Sequence, residues 1–223
     1  MSQRRQRAER RLPSQQRSIL TRRVGPVPAW GLGLATLLVV AVVGVAIVNS
    51  LSGAADRPLA YDVGSPGVGQ QAPDFDLPSA TGDRYHLVDQ RGQNVLLYFH
   101  EGLGCAPCWQ QVIDIQRDLD RFHSVGVDDV VAISLDPLDA QAQHAQANGV
   151  TLPILADEDR SVSRDYDALS YGMMGGSTPG HTFVLVGPDG VIRWRADYGG
   201  PPNFTMYVPD EMLLTELRTV FGG

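Results

Sequence analysis

The stretch Val95-Leu96-Leu97-Tyr98-Phe99-His100-Glu101-Gly102-Leu103-Gly104-Cys105-Ala106-Pro107-Cys108-Trp109 decides how the chain is read. Its first five residues are a continuous apolar run, the pattern of a strand buried on both faces. From Cys105 to Phe122, Trp109, Val112, Ile115, Leu119 and Phe122 recur at steps of three or four, the apolar stripe of a helix. Both cysteines of the chain therefore stand at the start of a helix, just beyond a buried strand. A helix N-terminus carries partial positive charge and unpaired N–H groups, which favour a thiolate. Cys105, the better exposed of such a pair, is the expected attacking thiolate, and Cys108, one turn on, is placed to resolve a mixed disulfide. A purely structural disulfide is the plain rival, but so short a ring adds little stability. Zinc lacks a second pair of ligands.

Outward from this stretch, Asp129–Leu135 and His181–Val186 read as further strands. Gly187-Pro188-Asp189-Gly190 suits a tight hairpin turn, after which Val191–Arg195 returns as an antiparallel edge. Helical stretches cover Pro137–Asn148 and Arg160–Leu169, and a last one starts at Pro209 with Asp210 and Glu211 in its first turn. Alternating strands and helices with a terminal hairpin give an α/β architecture.

The 223 residues are 43% hydrophobic and 19% charged, with a formal net charge of −7, which excludes a disordered chain. All 18 basic residues are Arg, so no mechanism that needs a Lys applies. The charge is unevenly placed. Residues 1–28 hold eight Arg against Glu9, residues 29–48 hold no charge, and residues 49–223 hold ten Arg against 24 acids. Ala29–Val48 spans about 30 Å as a helix, the thickness of a bilayer core, with Trp30 at the headgroup level. This predicts an Arg-rich cytoplasmic tail (1–28), a transmembrane anchor (29–48), a flexible linker (49–68) and an extracytoplasmic domain (69–223) in the cell membrane. A cleaved signal peptide is the rival, though Ser52-Gly53-Ala54-Ala55 is a poor cleavage site. The positive-inside effect accounts for the Arg-rich tail without a nucleic-acid partner.

Gln70-Gln71-Ala72-Pro73-Asp74-Phe75-Asp76-Leu77-Pro78, followed by Val95–Phe99, Cys105–Cys108 and Thr182–Gly190, resembles the thioredoxin-like redoxins over roughly residues 69–220. The resemblance implies a thioredoxin-like fold, a central mixed sheet flanked by helices, here preceded by one N-terminal transmembrane helix. It implies a redox-active disulfide Cys105–Cys108 with no other cofactor. The expected partners are protein thiols or disulfides, a membrane electron donor or acceptor, and the lipid bilayer through residues 29–48.

Two branches fit: membrane-tethered thiol–disulfide oxidoreductases of the TlpA-like kind, and peroxiredoxins of the AhpC/TSA kind. A peroxiredoxin presents Pro-x-x-x-Thr-x-x-Cys. With Cys108 as the peroxidatic residue, Cys105 stands where that Thr belongs, Glu101 where the Pro belongs, and Gly180 where an Arg is expected. The dithiol pattern departs less, at Gly104 and at Gln111, where a glutamate is usual. Disulfide exchange is therefore the favoured reading. Thr178-Pro179 resembles the family's cis-proline, which would make Pro179 a docking point for substrate, with Trp109 beside it. His100 and Glu101 are candidate proton relays. A third reading, a copper chaperone of the Sco kind, would use Cys105, Cys108 and His181 as soft-metal ligands.

Overall fold

The computed structural model describes residues 63–222, so the tail, the anchor and most of the linker lie outside the described residues. In chain order its elements are β1 (Asp76–Leu77), β2 (Tyr85–His86), β3 (Val95–Phe99), α1 (Ala106–Arg117), α2 (Leu119–Ser124), β4 (Asp129–Ser134), α3 (Leu138–Ala147), β5 (Ile154–Ala156), α4 (Ser161–Asp165), β6 (Thr182–Val186), β7 (Ile192–Asp197) and α5 (Asp210–Val220). Short 3-10 turns occupy Leu87–Gln90, Gly102–Gly104 and Ala168–Tyr171. No helix among the described residues is long and apolar enough to cross a membrane.

A five-stranded sheet in the order β5-β4-β3-β6-β7 organises the domain. β3 pairs in parallel with β4 and antiparallel with β6, β4 pairs in parallel with β5, and β6 pairs antiparallel with β7. Every residue of β3 and β6 is buried, as their unbroken apolar runs require when both faces are covered. Side chains alternate between faces. Leu96, Tyr98, Phe183 and Leu185 meet Trp109, Val112 and Ile115 of α1, Phe122 of α2, and Leu213, Leu214 and Leu217 of α5 on one side. Leu97, Phe99, Val131, Ile133 and Val184 meet Phe75, Leu87, Val162 and Tyr166 on the other. Each such fully buried large side chain contributes about 1.5–3 kcal/mol.

The sheet edges are protected by one N-terminal segment. Gly69 N–H donates to Ile192 O and Ala72 N–H to Gly190 O along β7, while Ala80 N–H donates to Ile154 O along β5. This covers the unpaired backbone that would otherwise template aggregation. A buried ion pair ties the start of that segment down. Arg195 donates from Nε and a terminal nitrogen to the two carboxylate oxygens of Asp197, both at 2.9 Å. Gly64 N–H donates to the same carboxylate at 2.7 Å, and Arg195 reaches Pro66 O at 3.0 Å. Gly64 and Pro66, placed in the linker by sequence, are thus bonded to the sheet.

The helix predicted over Cys105–Phe122 is two helices. Asp118, at φ −99° and ψ 13°, caps α1 and starts α2. The apolar stripe crosses this break because Ile115 and Phe122 remain in the same buried cluster. β5 and the small antiparallel β1–β2 pair are strands that the sequence pattern does not announce.

Candidate active site

The site is built at the end of β3. Gly102, at φ +86°, turns the chain into the Gly102–Gly104 segment. Two side chains hold this turn: His100 Nδ1 accepts the Gly102 N–H at 3.1 Å, and Asp136 accepts the Leu103 N–H at 2.7 Å. Cys105 N–H donates back to Gly102 O at 3.0 Å. The turn delivers Cys105 to the N-cap of α1, where its sulfur accepts the Cys108 N–H at 3.3 Å. Pro107 in the first turn has no N–H, which costs nothing where helix donors are unpaired anyway. No acidic residue occupies that turn, so the positive end of the helix faces the sulfurs unopposed. Cys105 and Cys108 are joined in a disulfide with Cα atoms 5.3 Å apart. Cys105 is 7% exposed and Cys108 is fully enclosed.

Behind the pair lies a buried polar cluster. The Tyr98 hydroxyl meets His181 Nδ1 at 2.8 Å and lies 3.4 Å from the Cys108 carbonyl oxygen. His100 stacks on Tyr98 with centroids 5.1 Å apart, and His100 and Trp109 meet edge-on at 5.8 Å. Burial pushes the His100 imidazole down to about 3 and the His181 imidazole well below its ordinary value, the latter helped by neighbouring His100. Both are neutral near pH 7. Desolvation, and then the charge of Glu101, raise the Tyr98 hydroxyl.

Several predicted roles change. Trp109 is 3% exposed and packs against His144 and His100, so it cannot offer a docking surface. Pro179 is buried as well, and the Thr178–Pro179 bond is trans; among the described residues the cis bonds are Ser65–Pro66 and Pro201–Pro202. The physical reason is crowding: a Cβ on Gly172 would stand 2.2 Å from Thr178 O, and one on Gly180 would stand 2.2 Å from Tyr171 O. The Pro179 segment is thus pressed against the 171–172 backbone instead of facing a partner. Glu101 is half-exposed and accepts the Met173 N–H at 2.8 Å. No group of three or more His, Cys, Asp or Glu among the described residues is arranged for a metal ion. The sulfurs of Cys105 and Cys108 are bonded to each other, and His181 Nδ1 meets the Tyr98 hydroxyl. Gln111 bridges α1 to α5, donating to Asp210 at 2.8 Å and accepting the Val208 N–H at 2.8 Å. Asp136 went unnoticed in the sequence, its only signal being its place directly after a predicted strand.

A family model described as AhpC/TSA matches residues 68–195. The chain belongs to the AhpC/TSA family. It is 36% identical over 110 residues to a putative peroxiredoxin of Mycobacterium tuberculosis, covering 49% of this chain and 69% of that protein. It is 30% identical over 125 residues to the thiol-disulfide oxidoreductase ResA of Bacillus subtilis, covering 56% of this chain and 64% of that protein. The crystal structure of peroxidoxin BcpB from Mycobacterium tuberculosis superposes with a TM-score of 0.56 at 23% identity, covering 69% of this chain and 97% of that one, a likeness of fold. This AhpC/TSA protein is accordingly a thiol-based redox enzyme with a thioredoxin-like fold.

Proposed function

We propose that this AhpC/TSA protein is a membrane-tethered, extracytoplasmic thiol–disulfide oxidoreductase that exchanges disulfides with protein partners. The observation that carries this reading is the asymmetry of the pair: Cys105, at a helix N-cap, keeps 7% of its surface exposed, and Cys108 behind it keeps none. The Cys105 thiolate attacks a partner disulfide to give a mixed disulfide and a partner thiolate. The Cys108 thiolate then attacks Cys105 Sγ, forming the Cys105–Cys108 bond and releasing the second partner sulfur as thiolate. The couple runs in reverse when the partner is a dithiol. No redox group beyond the disulfide is required. In an oxidising compartment, a reducing role draws electrons from a membrane donor. Residues 29–48 supply the anchor and residues 1–28 the cytoplasmic flank.

A second reading, hydroperoxide reduction with Cys108 as the peroxidatic thiolate, is favoured by the peroxiredoxin name of the mycobacterial relative. Against it, Gly180 stands where the peroxiredoxin pattern places Arg, and a Cβ there would meet Tyr171 O at 2.2 Å. Peroxide cleavage needs donors for the charge developing on the leaving oxygen.

One set of variants separates the two. Under exchange, Cys108→Ser accumulates mixed disulfides through Cys105, and Cys105→Ser abolishes turnover of a disulfide substrate. Rapid peroxide consumption that survives Cys105→Ser and is lost in Cys108→Ser would install the peroxidase reading instead. Extraction of the full chain from membranes by alkaline carbonate would overturn the anchor.

A further inference from the structure

Three connections leave the end of the sheet that carries the cysteines. Phe99 pairs with Thr182 and Thr182 with Asp197, so the chain after β3, before β6 and after β7 emerges at that one end. Residues 100–109, 172–181 and 198–208 hold a single Asp, Glu or Arg between them, Glu101, whereas residues 49–223 hold ten Arg and 24 acids. In this uncharged stretch Met173 and Met174 are 50% and 65% exposed. Depletion of charge together with exposed Met is the composition of the centre of a protein interface, and the unbranched thioether adapts to varied apolar shapes.

Printed contacts tie these two residues to the turn that presents Cys105. Glu101 is the N-cap of the Gly102–Gly104 turn, and the Cys105 N–H donates to Gly102 O at 3.0 Å. The Glu101 carboxylate accepts the Met173 N–H at 2.8 Å. The Ser177 hydroxyl donates to Met174 O at 2.8 Å, closing a turn through Gly175 and Gly176 at φ +65° and +81°. Gly172 lies so close to Thr178 O that a Cβ there would stand 2.2 Å away. The methionine loop is therefore folded back on itself and held, through one carboxylate, to the segment that carries the attacking sulfur.

We propose that Glu101 is a positioning residue that holds Met173 and Met174 as a docking surface for the uncharged, apolar segment flanking a partner's cystine. Cys105 is only 7% exposed, so a partner sulfur reaches it only when the residues beside that sulfur lie against the surrounding surface. An acidic flank would meet Glu101 with no Arg in these three connections to offset it. A basic flank would find that carboxylate already engaged by Met173. An apolar flank buries the thioethers at no such cost. The assignment deepens the exchange reading and rests on it.

The test uses the full chain, purified in mild detergent, with a dithiol buffer as reductant. Two synthetic peptide disulfides are compared, one with its cysteines flanked by Leu and one with the same cysteines flanked by Ser. The readout is the ratio of their kcat/KM values. Wild type prefers the Leu-flanked peptide, and Met173→Ser with Met174→Ser lowers the ratio about tenfold through KM. Both side chains are exposed, so these substitutions leave the core intact. Glu101→Ala, which releases the loop, lowers the ratio in the same direction. Glu101→Gln, whose amide oxygen still accepts the Met173 N–H, restores it to within about twofold. Val88→Ser, which removes an exposed apolar group from the Leu87–Gln90 turn, leaves the ratio at its wild-type value. A wild-type ratio near one, or a ratio unmoved by the methionine variants, overturns the proposal and gives the patch to lipid, a second copy or nothing. A Glu101→Gln chain as impaired as Glu101→Ala also overturns it, since the charge and not the loop contact would then matter. If wild type reduces neither peptide, the exchange reading itself fails, so the two failures are distinct.

Discussion

Gly102→Ala tests how the cysteine pair is aimed. At φ +86° an ideal Cβ on Gly102 would lie 1.8 Å from the Asp136 carboxylate oxygen that accepts the Leu103 N–H. Two costs follow. Holding a residue with a side chain in the left-handed region costs roughly 1–2 kcal/mol. The methyl also displaces Asp136 from Leu103, forfeiting a charge-assisted hydrogen bond worth about 1.5–3 kcal/mol. The single variant is therefore expected to lose about 2.5–5 kcal/mol of stability. Asp136→Ala alone forfeits the same bond, together with the 3.1 Å bond from the Ser134 hydroxyl. In that background the added Gly102→Ala meets no carboxylate and costs only the roughly 1–2 kcal/mol of backbone strain. The double-mutant cycle should then show a coupling of about 1.5–3 kcal/mol. Equilibrium denaturation of the four chains measures it, and the alkylation rate of Cys105 after reduction reports whether the turn still presents the sulfur. Additivity within about 0.5 kcal/mol would refute the claim that Asp136 and Gly102 shape this turn together.

Three further outcomes are expected. Arg195→Met leaves the enclosed Asp197 carboxylate without its bidentate partner and should cost about 3–5 kcal/mol, while Arg195→Met with Asp197→Leu recovers much of the loss, as buried pairs commonly do; equal losses in the two chains would contradict this. Burial, then the charges of Asp118 and Asp114, raise the Asp210 carboxyl to about 7 against the pull of Arg117 and Arg121, so between about pH 4 and 7 the folded chain holds a proton that the unfolded chain has lost. That stabilisation is complete below about pH 4 and disappears as the pH rises through 7, so wild type should lose about 1–3 kcal/mol relative to Asp210→Asn between pH 5 and 8, and parallel denaturation curves would count against it. Finally, with its imidazole held down near 3, His100 contributes no ionisation between pH 5 and 9, so His100→Gln should leave the shape of a pH–rate profile without a lost step near 6.5, checked with a disulfide substrate in excess.

The parts of the fold that were legible in sequence are those where burial on two faces suppresses polar residues altogether. Val95–Phe99 and Thr182–Val186 read as strands because nothing polar could be tolerated on either side. β5 was not legible: three residues after Pro153 carry no period, and only pairing of Ile154–Ala156 with Ala132–Ser134 makes them a strand. The helix break at Asp118 was hidden for the opposite reason, since the apolar stripe survives a local loss of backbone bonding. Residue identity at Thr178-Pro179 could not report the trans bond or the neighbouring backbone at Gly172 that buries it.

The candidate site divides along the same line. The cysteine spacing and its place at a helix start are local facts, so the asymmetry of Cys105 and Cys108 was readable. Their surroundings are assembled from distant segments: His100 follows β3, His181 precedes β6, and the antiparallel register of those strands brings both rings against Tyr98. The same register bears on the choice of chemistry. Thr182 pairs with Phe99, which places Gly180 just beyond the end of the sheet, against the Tyr171 backbone. A peroxiredoxin-type Arg would have to enter there and has no room. Without a cation there, the site lacks one donor for the charge that develops on the leaving oxygen of a peroxide. Gly180→Arg is therefore expected to unfold at a lower denaturant concentration than wild type and to gain no peroxide reduction; a chain of wild-type stability that reduces peroxide rapidly would refute the claim that this position has no room for the cation.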